Sequence, residues 1–189
     1  MQVPLFPLAT VLFPGGPLPL RIFEPCYLDM ISDCLRNDRA FGVVLIRESG
    51  GAGPATTFET GTLARIVDWY QGSDGLLGVT AIGEQRFRLL SSQRQPDGLN
   101  VGTVDLIAQE PPLPLPDKFK TLGSLLARVL DDLGRLYEPL ERHLEDASWV
   151  SYRFAEILPI SIEQKQQSLE SNDPIQRLQL VQGVLGSAR

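Results

Sequence analysis

The feature that most limits what this chain can fold into is its proline run, Glu110-Pro-Pro-Leu-Pro-Leu-Pro116. Each proline lacks an N–H and fixes φ, so the run can continue neither a helix nor a central strand. The sequence changes character across it. Before it, glycines punctuate short runs of Val, Ile, Leu, Phe and Thr, the pattern of strands joined by turns. After it, glycine thins out and apolar residues recur at spacings of three and four. The expected organisation is a β-rich part over 1–110, a linker over 111–116 and a helical part over 117–189.

In the first part the pattern predicts strands over 18–22, 41–47, 58–70, 76–82, 85–91 and 101–109. A helix is predicted over 25–37, with Pro25 in its first turn and Glu24 at the positive end of its dipole. Along 85–91, Phe87 and Leu89 share one face while Arg86 and Arg88 share the other. Many short strands with one interposed helix suggest a small, partly closed β-barrel. The glycine-rich loop at 49–54 is expected to be flexible by composition.

In the second part, Leu122, Leu126, Val129, Leu133 and Leu136 form one apolar stripe on a helix of about 20 residues starting near Asp117. Trp149, Phe154, Ile157 and Leu158 belong to a second helix ending before Pro159. Ser161 with Gln164 reads as a capping box opening a third. Asp173-Pro174 caps a fourth, with Ile175, Leu178, Val181 and Leu185 facing inward.

Charge and cysteine content narrow the function. The chain carries 17 basic and 23 acidic residues, a net charge of −6. Phosphate binding relies on clustered Lys and Arg, so an acidic chain with scattered basic residues argues against nucleic acid and against an anionic membrane surface. Two cysteines, Cys26 and Cys34, are too few for a disulfide framework and suggest a reducing compartment. The start, Met-Gln-Val-Pro-Leu-Phe-Pro, has no basic region and is broken by prolines, unlike a signal peptide. The expected location is the cytoplasm.

A search for chemistry returns little. None of Lys118, Lys120 and Lys165 follows a glycine in phosphate-loop register, and the glycines at 50, 51 and 53 miss the dinucleotide pattern. A catalytic triad needs an oriented base, and the single histidine, His143, sits among charged residues. Two cysteines and one histidine without a CxxC pair do not make a zinc site. Asp131–Asp132 and Glu141–Glu145 read as solvated helix faces. No catalytic residue, cofactor or metal is expected.

The segment from Leu5-Phe-Pro-Leu through Leu20-Arg-Ile-Phe-Glu-Pro-Cys-Tyr-Leu-Asp-Met30 resembles the opening of the Lon protease amino-terminal, or substrate-binding, domain family. Gly61-Thr-Leu-Ala-Arg-Ile66 and Gly83-Glu-Gln-Arg-Phe-Arg-Leu89 agree with it. So do Glu163-Gln-Lys-Gln-Gln-Ser-Leu-Glu170 and Asp173-Pro-Ile-Gln-Arg-Leu178 near the end. Cys26 departs from the pattern, where a polar residue is expected. The resemblance implies an α+β chain: a PUA-like β pseudobarrel with one interposed helix, followed by a C-terminal helical bundle.

It also implies a non-enzymatic recognition module that binds exposed or extended segments of proteins, with a protease system among its candidate partners. Alternatives are an RNA-binding PUA-like module, or a small-molecule sensor or cryptic hydrolase using an interdomain cleft. Arg21, Phe23, Glu24, Arg86 and Phe87 are the candidate groove residues. A structural reading competes with that one, in which Glu24 caps the helix, Phe87 fills the barrel and the arginines tie strands together.

Overall fold

The computed structural model describes residues 1–48 and 56–187; the loop expected at 49–54 lies outside the described residues. Among the described residues the fold is mixed α/β, with an antiparallel-rich sheet and five α-helices. The chain divides into two compact units, Met1–Ala108 and Gln109–Arg189. Among the described residues no helix is long and apolar enough to cross a membrane.

The first unit contains strands β1 (Gln2–Leu8), β2 (Pro17–Ile22), β3 (Phe41–Glu48), β4 (Thr56–Thr57), β5 (Thr60–Gln71), β6 (Leu77–Arg94) and β7 (Asn100–Leu106), with helix α1 (Pro25–Asn37) between β2 and β3. Pairing runs β1-β7-β6-β5-β3-β4, and a parallel β1–β3 pairing links β1 back to β3. Strand β2 lies off this path, antiparallel to β6. Two clusters of buried side chains fill the unit. One gathers Val3, Leu5, Val44, Leu63 and Val104 around Phe87. The other sets Met30, Ile31 and Cys34 of α1 against Ile22, Phe41 and Val79.

Strands β1 and β6 differ most from the sequence expectation, for identifiable reasons. No strand is expected before residue 18, because Pro4 and Pro7 interrupt the apolar run. Yet β1 forms, since each proline sits where β1 has one partner. Pro4 lies opposite Val101 of β7, and Pro7 lies opposite Val44 of β3. A missing N–H therefore leaves no ladder incomplete on both sides. The strands expected at 76–82 and 85–91 are one 18-residue strand, β6. Gly83 is not a turn residue there. A Cβ on it would come 2.2 Å from the Phe13 carbonyl oxygen. The Gly83 N–H donates to Gly16 O at 2.9 Å, and its carbonyl accepts the Gly15 N–H at 2.7 Å. The glycine permits close backbone approach rather than a reversal.

The second unit holds α2 (Lys120–Leu133), α3 (Ala147–Ile157), α4 (Ile162–Glu170) and α5 (Pro174–Ser187). Short 3-10 turns, Asp117–Phe119 and Gly134–Leu136, flank α2. The single helix of about 20 residues expected from Asp117 is thus interrupted, with Gly134 at φ 70°. Its apolar stripe also shifts: Leu122, Leu126 and Leu130 are buried, whereas Leu133 is exposed. Leu133 is the last residue of α2, directly ahead of Gly134 with its positive φ, so the stripe ends where the helix does.

Local capping follows the sequence closely. Ser161 Oγ accepts the Gln164 N–H at 3.1 Å while Gln164 Oε1 accepts the Ser161 N–H at 3.0 Å. Asp173 Oδ1 accepts the Ile175 N–H at 2.9 Å at the head of α5. Asp146 Oδ2 accepts the Trp149 N–H at 3.0 Å at the head of α3. Phe119, Leu126, Val150, Phe154, Leu178 and Val181 share one core.

A charged network lies beside that core. Arg177, 2% exposed, makes a two-pronged pair with Glu110, 8% exposed, at 2.7 and 2.6 Å. The Ser148 and Tyr152 hydroxyls donate to the same carboxylate. The Arg177 Nε donates to Ser151 Oγ at 2.9 Å, and the guanidinium stacks 3.9 Å above the Tyr152 ring. Glu110, placed with the β-rich part by the sequence reading, is held inside the second unit.

Candidate functional site

One end of β2, β6 and β5 concentrates exposed apolar side chains. In register, Arg21 of β2 lies beside Gly78 of β6, which lies beside Tyr70 of β5. The Tyr70 ring covers Gly78, where a Cβ would come 2.4 Å from the ring. A bulge between Ile66 and Asp68 makes Val67 an extra residue and re-phases the strand. Trp69 thereby falls opposite Val79, on the face that carries the core, while Tyr70 points to the other face. Both faces of β5 end in an aromatic ring. Trp69 is 61% exposed, Tyr70 51% and Val67 57%, with Phe23, just past the end of β2, at 64%.

The adjoining turn is well ordered by its own bonds. The Gly72 N–H donates to Leu76 O at 2.8 Å, and Asp74 Oδ1 accepts the Leu76 N–H at 3.1 Å. Arg21 forms an ion pair with Asp74. Both side chains are substantially exposed, so this pair anchors the turn loosely at best. The second edge of β2 pairs with no other described strand. Pro17 and Pro19 lie on it, and prolines in an edge strand turn their donor-free nitrogens outward. Strand addition would find few N–H groups there, Arg21 being the one residue of that alternation in β2 to keep its own, so recognition at this end rests mainly on side chains.

The structure separates the five candidate groove residues. Arg21, Phe23 and Glu24 lie at the surface of this end. Glu24 occupies the N-cap position of α1 without a side-chain cap bond; its carbonyl accepts the N–H groups of Tyr27 and Leu28. Phe87 is 0% exposed, with a Cβ on Gly61 only 2.6 Å from its ring. Arg86 is 4% exposed, and its carbonyl accepts the Ile107 N–H at 2.9 Å. Sequence reasoning missed Val67, Trp69 and Tyr70. The available signal was adjacent Trp and Tyr in one strand, which puts an aromatic on each face directly before a Gly-Ser-Asp-Gly turn.

Among the described residues no group of three or more His, Cys, Asp or Glu side chains could hold a metal ion. Burial, with Asp33 nearby, pushes the Cys34 thiol up to about 11. Burial and the charges of Glu24 and Asp97 raise Cys26 as well. Both thiols therefore stay protonated near neutral pH and are poor nucleophiles.

A family model described as the ATP-dependent protease La (LON) substrate-binding domain matches residues 2–186. The chain belongs to the Lon substrate-binding domain family. A crystal structure of a Lon N-terminal domain protein from Xanthomonas campestris is 36% identical, covers 97% of this chain and 98% of its own, and superposes with a TM-score of 0.78. The N-terminal domain of the Mycobacterium avium complex Lon protease shares the fold at a TM-score of 0.67 and 17% identity, covering 97% of each chain.

Among full-length family members, Lon protease of Anaeromyxobacter dehalogenans (strain 2CP-C) is 26% identical over 99% of this chain, which spans 23% of that protein. Protein cereblon of Danio rerio is 33% identical over 66% of this chain and 29% of its own length. The chain thus covers about a quarter of the length of these relatives.

Proposed function

We propose that the chain is a non-enzymatic recognition module of the cytoplasm, capturing exposed, extended segments of other polypeptides through the aromatic end of β2, β5 and β6. The observation that carries this reading is the grouping of Phe23, Val67, Trp69 and Tyr70 in water at one end of three paired strands. Exposed apolar groups on a folded domain mark interaction sites when they cluster, and Trp and Tyr supply large contact area at low entropic cost. Membership of a substrate-binding domain family supports it. The returning β1–β3 pairing supports a PUA-like pseudobarrel for the first unit, and the shared core of α2, α3 and α5 supports a helical bundle for the second. A protease system is the natural partner, given the full-length relatives.

The RNA reading fares poorly. The net charge of −6 opposes phosphate binding, and Arg21 is paired with Asp74, Arg65 with Asp38 and Glu84, while Arg86 is buried.

The test is a titration of the chain with a labelled, permanently unfolded polypeptide such as reduced carboxymethylated lactalbumin. Saturable binding is expected, weakened about thirtyfold for each of Trp69→Ala and Tyr70→Ala, since an interface anchor is worth about 2 kcal/mol. Stability should change by only about 0.5 kcal/mol for Trp69→Ala, as at exposed positions generally. Binding no stronger than to a control globular domain, or unaltered by both substitutions, refutes the reading.

A further inference from the structure

The proline run that divides the sequence has a second property, visible only from its hydrogen bonds. Inside the second unit it lies along the segment leading into α3, joined by a bridge between Pro114 and Asp146. Leu113 O accepts the Ala147 N–H at 2.8 Å, and the Leu115 N–H donates to Glu145 O at 2.7 Å. Asp146 reinforces the join, its Oδ1 accepting the Leu113 N–H at 3.2 Å while Oδ2 caps α3. The run is therefore held in one extended conformation.

Residues alternate in direction along an extended chain, so the groups of Leu113 and Leu115 face inward while those of Pro112 and Pro114 face outward. The outer edge then carries carbonyl oxygens and no N–H at either position. Pro111, Pro112, Leu113 and Pro114 are all exposed. Pro116 adopts φ −58° and ψ 149°, the polyproline II region. Pro112 and Pro114 therefore share the outward side of the bridged stretch, and Pro111 ahead of them is exposed as well.

An edge with acceptors, apolar rings and no donors cannot be extended by a strand, which would need both donors and acceptors. It does match a groove of parallel aromatic rings whose indole N–H and phenol O–H groups reach carbonyl oxygens, the mode by which PxxP segments are read. We propose that Pro111-Pro-Leu-Pro114 is a preformed ligand for a protein domain with an aromatic-lined polyproline groove. Because it is already extended and pinned at both ends, little backbone freedom remains to be lost on docking. Glu145, exposed beside Pro114, favours a partner whose groove has a basic rim. This surface is separate from the aromatic end of the first unit and does not rest on the reading given for it.

The experiment uses the full chain and two purified, isotope-labelled probes, a WW domain and an SH3 domain, followed by NMR. The expected result is saturable shifts confined to the aromatic groove of at least one probe. Pro111→Ala/Pro114→Ala should weaken that binding at least tenfold with an unchanged melting curve, and Trp69→Ala should leave it intact. A peptide spanning 109–117 should compete, but at a several-fold higher concentration because it is not held extended. Neither probe binding, shifts outside the groove, or equal binding of the proline variant would each overturn the proposal.

Discussion

Arg177→Met is expected to lower the stability of the chain by about 3–5 kcal/mol, read from denaturant or thermal unfolding. The substitution removes one partner of a nearly sealed ion pair and leaves the Glu110 carboxylate among Ser148 and Tyr152 with no opposing charge. The price is set by that stranded anion more than by the lost attraction. A double variant, Glu110→Leu/Arg177→Met, should therefore lose clearly less than the sum of the two single changes. Strict additivity would show that the pair does not act as a unit.

The same network carries a pH signature. Burial acts to raise the Glu110 carboxyl, but the hydrogen bonds and charge of Arg177, with the Ser148 and Tyr152 hydroxyls, outweigh it and hold the group below its ordinary value of 4.5. A carboxylate depressed in the folded state stabilises above its unfolded pKa, and that contribution is lost as pH falls through the folded one. The wild-type chain should thus lose this increment only below about pH 4.5. In Arg177→Met the carboxyl, deprived of its cation, protonates more readily, so the gap between variant and wild type should narrow on acidification. A gap that is constant from neutral to acid pH contradicts the assignment.

Phe87→Ala carries a comparable expected loss, about 3–5 kcal/mol, for a different reason. The ring fills the space between Leu5, Val44, Leu63 and Val104, and Gly42 and Gly61 bring backbone directly against it. Deleting the ring leaves a void that two strands fixed by their ladders can hardly close. The measurement separates two roles that the Gly-x-x-Arg-Phe motif could serve. Were Phe87 a ligand-contacting residue, truncation would weaken polypeptide binding at nearly constant stability. The packing role instead predicts a large drop in unfolding free energy, with binding per folded molecule preserved.

These two residues also show what was legible in the sequence. The order of the motifs disclosed the family, and the caps at Ser161 and Asp173 were readable because a cap involves residues three or fewer apart. Helix α1 was readable from Pro25 and one buried face. What was not legible depends on partners far along the chain. Residues 83–84 read as a gap between two strands until Phe13 is placed against Gly83, and Pro4 and Pro7 read as breakers until β1 is seen to exchange one partner for another midway. Arg177 looks like one more helical cation until Glu110, 67 residues earlier, is found beneath it.

The candidate site was half visible. Arg21 and Phe23 were picked out by the motif, but the faces taken by Trp69 and Tyr70 depend on a bulge at Val67 set by the pairing with β6.

The pairing of β1 with both β3 and β7 has a consequence for how the molecule is made. Leu5 sits beside Gly42 on one side and Asn100 on the other, so the first strand synthesised needs one of the last strands of its unit to complete its hydrogen bonding. During translation at about 5–20 residues per second, that flank stays open for several seconds after β3 has emerged. Sequence-distant closure of this kind slows folding relative to local pairing. For a nascent protein this is the interval of greatest exposure to chaperones and to misassociation, and it ends only when β7 clears the ribosome.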